Sequence, residues 1–142
     1  MKSKFANIAK IKKQKCDTIE KELLKNRTRE KMLLAKIATS YEEISKMSLP
    51  KEGGASLISM FQAQKALLNR DKKAYELALV EAKKRIQKLL DDYKKAHTDY
   101  EKIKYLEEQE LQIFIDKLKK EEQKELDEIA NVLFSNIVAK KG

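Results

Sequence analysis

From Leu57 to Ser135 the chain runs for some eighty residues without a glycine or a proline. Phe61, Leu68, Tyr75, Ala82, Leu89, Ala96 and Ile103 recur every seventh residue. A second file lies three residues before each of them: Ile58, Lys65, Lys72, Leu79, Ile86, Tyr93 and Tyr100. Alternating steps of three and four place both files on one narrow stripe of a helix, and a heptad sustained this long is a coiled-coil seam. At 1.5 Å per residue such a helix spans about 120 Å, too long for one element of a compact globule. The chain before it must supply its partner.

The first third has the matching pattern. Phe5, Ala9, Lys12, Cys16, Ile19, Leu23, Asn26, Glu30, Leu33, Ile37, Ser40, Ile44 and Met47 fall at steps of four and three. The ends of this seam are apolar, whereas Asn26 and Glu30 make its middle polar, a device that costs stability and fixes register. Between the two patterns lies Ser48-Leu49-Pro50-Lys51-Glu52-Gly53-Gly54. Proline removes a backbone donor and disfavours helix at the residue before it. Ser56 is a candidate N-cap for the second helix. A short connection joins antiparallel neighbours.

The expected fold is therefore all-α, a two-helix antiparallel coiled-coil hairpin with a longer second helix overhanging at the C-terminus. One coiled-coil domain covers residues 1–142, with helix one over about 4–47, a loop over 48–56 and helix two over about 57–136. Folding about the loop pairs Met47 with Ile58, Ile44 with Phe61, Leu23 with Ala82, Cys16 with Leu89 and Phe5 with Tyr100. In that register Leu33 faces Lys72, and Glu30 is placed to form an ion pair with Lys72. Helix one then runs out near residue 104, leaving an overhang of about 50 Å. The seam pattern changes there as well. Glu107 and Glu110 follow Ile103, and a new stripe starts at Leu111, Ile115 and Leu118, a stutter that locally unwinds a supercoil. The overhang carries Ile113, Phe114, Ile129, Val132, Leu133, Phe134, Ile137 and Val138, which a lone helix in water does not hold without a partner or a second copy to cover them.

The same features narrow the function. Charged residues make up 39% of the chain and there is no tryptophan; a helical pair so rich in charge encloses no substrate pocket. Glycine-rich phosphate loops, paired Cys/His metal spacings and nucleophile–base constellations are all missing from the sequence. The reading is a non-enzymatic protein with no cofactor and no metal. Cys16, the single cysteine, sits on the seam as a small hydrophobe and fits a reducing compartment. His97 is read as a solvated or satisfied histidine beside the seam. No apolar run approaches the roughly eighteen residues that cross a membrane, so the expected location is the cytoplasm, without membrane insertion. Residues 1–36 carry twelve basic and four acidic side chains, and residues 99–142 eight and eleven. That polarity favours steered binding to a charged partner. The basic residues spread around the helices and match no nucleic-acid-binding motif, so no nucleic acid is expected.

The run Glu122-Gln123-Lys124-Glu125-Leu126-Asp127-Glu128-Ile129-Ala130 resembles the C-terminal signature of the bacterial flagellar export protein FliJ family. Tyr100-Glu101-Lys102, Glu107-Glu108, the chain length and the short-helix, break, long-helix layout are similar too. The resemblance implies a component of the flagellar type III export apparatus, peripherally associated with it at the inner membrane. It would act as a stalk that binds the hexameric export ATPase, couples it to the export gate membrane protein and escorts export chaperones. The implied ATPase contact falls on Phe114, Leu118, Gln123, Leu126, Asp127 and Ile129. The implied gate contact falls in the first part of helix two, where Met60, Ala63 and Leu67 are the off-seam apolar residues. The alternatives are a generic cytosolic coiled-coil scaffold or self-assembling protein, and a basic helical binder of nucleic acid or membrane surfaces.

Overall fold

The computed structural model describes residues 3–141, Lys141 through its backbone alone. Two helices account for nearly all of them: α1, Ala6–Lys46, and α2, Ala55–Lys141. They pack against each other as an antiparallel helical hairpin, the second helix being the longer, as the two heptad patterns require. Contacts group the chain into two units, Lys15–Ala96 and Met1–Gln14 with His97–Gly142.

In the Lys15–Ala96 unit the core is a single seam. Cys16, Leu33 and Ser40 are buried on α1, and Ala82, Ile86, Leu89 and Ala96 on α2. Ile19, Leu23, Asn26, Glu30, Ile37 and Ile44 are half-buried between them. These are the seam residues of α1 that the heptad marks, because only one stripe of each helix meets the other. Among the described residues no large side chain is fully enclosed. The polar seam position Asn26 is satisfied locally. The Asn26 side-chain amide donates to the Glu22 carbonyl, 2.8 Å away on its own helix, and no buried side-chain polar atom among the described residues lacks a hydrogen-bond partner.

The register differs from the predicted one by about a heptad. The Tyr93 hydroxyl donates to the Glu20 carboxylate at 2.9 Å, where the predicted pairing puts Arg85 beside Glu20. The Lys72 ammonium lies 4.2 Å from the centre of the Tyr41 ring, and Lys36 lies 5.4 Å from that of Tyr75. Lys72 is thus engaged with Tyr41, not with Glu30. The reason is geometric: sliding one strand of a coiled coil by seven residues returns every seam position to a seam position, so periodicity alone leaves the register open. Removing Tyr41 and Lys72 singly and together should show a coupling of about 0.5–1 kcal/mol in denaturation. The same cycle on Glu30 and Lys72 should show none.

The eight residues between the helices absorb that displacement. Lys46 lies level with about Leu67, so the first three turns of α2 run past the end of α1. The first helical bonds of α2 are accepted by the Gly54 carbonyl, from the Leu57 amide at 3.0 Å and the Ile58 amide at 3.5 Å. Gly54, not Ser56, is therefore the cap. Gly53 has a φ of 142°, and a Cβ there would collide with Cδ1 of Leu57. Gly53→Ala should destabilise this end by about 1–3 kcal/mol. Gly54→Ala, with open space around it, should change denaturation little and serves as the control.

In the second unit Ser3 lies just before α1. Its hydroxyl oxygen accepts from the Phe5 amide at 3.1 Å, and the same hydroxyl donates to Glu110 Oε2 at 2.9 Å. Lys13 lies 5.7 Å from the Tyr100 ring centre, in place of the predicted Phe5. Ala9 is buried, and Ile103, Glu107, Glu110 and Phe114 are half-buried in unbroken steps of four and three. Leu111 is 48% exposed. The seam thus passes through Glu107 and Glu110 to Phe114, and the expected stutter at Leu111 does not interrupt it. Ile115 is the last half-buried side chain; every described side chain after it is exposed. The predicted start of the overhang near residue 104 moves to after Ile115, because the chain leading into α1 still reaches Glu110 through Ser3.

Candidate functional site

Among the described residues no helix is long and apolar enough to cross a membrane, and no group of three His, Cys, Asp or Glu side chains is placed to hold a metal. Cys16 is 3% exposed, a seam residue like its neighbours. His97 Nε2 stands 3.7 Å from Glu101 on the next turn. What distinguishes the molecule is apolar surface without a helical partner, found in each unit separately.

In the unit of the chain ends, α2 continues beyond Ile115 as an unaccompanied helix. Leu118, Leu126 and Ile129 are 43%, 61% and 57% exposed. Spaced as they are, Phe114, Leu118 and Ile129 fall on one stripe, with Leu126 at its margin. Gln123 and Asp127 fall on the opposite side and satisfy each other, the Gln123 amide donating to Asp127 Oδ1 at 3.0 Å. The six predicted contact residues therefore lie on one helix but not on one face, and Phe114 alone is half-buried. Val132 and Leu133 extend the apolar stripe and line a shallow groove with Ile129, Glu125 and Glu128. Phe134, 68% exposed, and Val138 point away from that stripe. Apolar contacts are thus offered around the circumference of this arm.

In the Lys15–Ala96 unit the start of α2 is the second surface. Met60 and Leu67 are 65% and 49% exposed, and Ala63 is exposed beside them. Leu57 and Ile58 belong to the same surface. The heptad assigns Ile58 to the seam, so sequence reasoning hides its availability; the length of the connection was the only signal that α1 stops short of it.

The sequence of the chain matches the model of a known family. The family model FliJ, described as the flagellar FliJ protein, matches residues 1–137. No curated protein and no solved structure matches the chain. Since the match spans all but the last five residues of the chain, the protein belongs to the FliJ family and has a role in flagellar export.

Proposed function

We propose that this chain is a non-enzymatic stalk of the flagellar type III export apparatus. Its C-terminal arm binds the hexameric export ATPase, and Phe114, Leu118, Gln123, Leu126, Asp127 and Ile129 are the contact residues. The observation that carries the reading is the arm itself: a helix whose described side chains after Ile115 are all exposed, with apolar residues on more than one side. A helix occupying the centre of a ring needs contacts around its circumference, and differential contact with alternate subunit states is how a binding protein biases such a ring. The start of α2, with Met60, Ala63 and Leu67, is the proposed surface for the export gate membrane protein. Escort of unloaded export chaperones belongs to the same proposal, as does a cytoplasmic location against the inner membrane.

The test is to titrate the full chain, and a version ending at Asp116, into the purified export ATPase of the same organism. ATPase stimulation or hexamer formation by the full chain alone supports the stalk. Absence of both with a well-folded full chain removes it. Concentration-dependent dimerisation through the arm would then favour a self-assembling scaffold.

A further inference from the structure

Asn26, in the polar middle of the α1 seam, does not bond across to α2. Its amide donates to the Glu22 carbonyl on its own helix, whereas a polar residue that fixes register bonds to the partner helix. Asn26 instead forms part of the floor of an open groove of about 490 Å³ within the Lys15–Ala96 unit. Ala82 completes that floor; it is buried, and its methyl leaves the space above it open. The rim is charged. Lys25 and Arg29 line it from α1 and Arg85 from α2, together with Glu22 and Glu81.

The charges on this rim do not neutralise one another. Glu22 stands 3.8 Å from Lys25, and Glu81 3.9 Å from Lys84, each pair within one helix. Among the described residues, none forms an ion pair or hydrogen bond with the guanidinium of Arg29 or of Arg85. Two arginines from different helices thus line one groove with no carboxylate on either. A guanidinium is a planar fork of donors that meets a carboxylate in two parallel hydrogen bonds. The glutamates on the same rim oppose a continuous polyanion such as nucleic acid, which binds through neutralisation of phosphate after phosphate. A groove between two packed helices has the direction and spacing to seat a third helix along it.

We infer that this groove is a docking site for an acidic helix of a partner protein, whose carboxylates pair with Arg29 and Arg85. The glutamates select within that class, because a partner helix with a basic residue one turn from its acidic ones meets Glu22 or Glu81 as well. The site involves neither the C-terminal arm nor the start of α2, and it stands whether or not the arm binds the export ATPase.

NMR spectra of the arginine Nε–H groups in the full chain test it. The chain has four arginines, and Arg27 and Arg70 lie outside the groove. The probe is an alanine-based helical peptide carrying glutamates in i, i+4 pairs; its lysine counterpart and a short DNA duplex are the controls. With the glutamate peptide, the Arg29 and Arg85 signals are expected to move along one saturating curve while those of Arg27 and Arg70 stay. Arg85→Gln should weaken the binding that Arg29 reports by about fivefold or more. Lys73→Gln, which removes the same charge from an exposed position on the same helix, should leave it unchanged. Arg85 and Lys73 are both exposed, so both variants keep the fold, and circular dichroism checks this. Equal movement of all four arginine signals, or equal losses from Arg85→Gln and Lys73→Gln, would reduce the effect to net charge and overturn the inference. Absence of any movement overturns it too, as does tighter binding of the DNA duplex at the same two arginines.

Discussion

Leu89→Asp is expected to unfold the hairpin. Leu89 is 4% exposed and sits among Ala82, Ile86 and Ala96, the buried residues of α2. Removing a buried leucine costs about 2–5 kcal/mol, and an unpaired carboxylate in its place adds a desolvation penalty of several kcal/mol more. A domain of this size holds a total of about 5–15 kcal/mol. With so few buried side chains to share the load, one such change takes most of it. Circular dichroism during heating is the measurement, and a large loss of helicity at room temperature is the expected outcome. Leu77→Asp is the matched control. Leu77 is 69% exposed on the same helix, and its variant should stay within about 0.5 kcal/mol of the parent. Equal melting curves for the two variants would mean that the seam is not where the stability lies.

Leu126→Asp should do the reverse, leaving the fold and removing the partner. Leu126 is 61% exposed on the arm, where no other part of the described chain covers it, so heating curves should superimpose on those of the parent. If the arm binds the export ATPase as proposed, an apolar anchor in that interface contributes about 2 kcal/mol or more, roughly thirtyfold in affinity. Sedimentation or fluorescence anisotropy with the purified ATPase reads this directly. Unchanged affinity would take Leu126 out of the contact. Loss of helicity throughout the chain would show that the arm is structural.

The contrast between these two positions shows how much of the molecule is legible in its sequence. A period of seven names the face of each helix that is buried, and Ala9, Cys16, Leu33 and Ser40 on α1, with Ala82, Leu89 and Ala96 on α2, all lie where that period puts them. It does not name the partner across the seam. Glu20 meets Tyr93 and not Arg85 because a shift of one heptad preserves every face. That single displacement accounts for the misplaced Glu30–Lys72 pair, the overhang that begins after Ile115 instead of near residue 104, and the hidden surface at Leu57 and Ile58. Helix starts failed for a different reason. Ser56 has the side chain of a cap, but Gly54 supplies the carbonyl, since the backbone after Gly53 already turns into α2. The arm was legible because apolar residues without a facing pattern stand out in sequence alone. That Gln123 and Asp127 bond to each other was also readable, four residues apart on one helix, but which face they take is settled only once the arm is seen to be bare.

A seam that encloses no large side chain completely among the described residues also sets how this protein responds to temperature. The heat capacity of unfolding scales with the apolar surface newly exposed to water, about 12–15 cal/mol/K per residue for ordinary globular domains. A helical pair that keeps much of its apolar surface wet has less left to expose. Its stability curve is correspondingly flat: stability falls away slowly on either side of its maximum, and a calorimetric trace shows a low step between the folded and unfolded baselines.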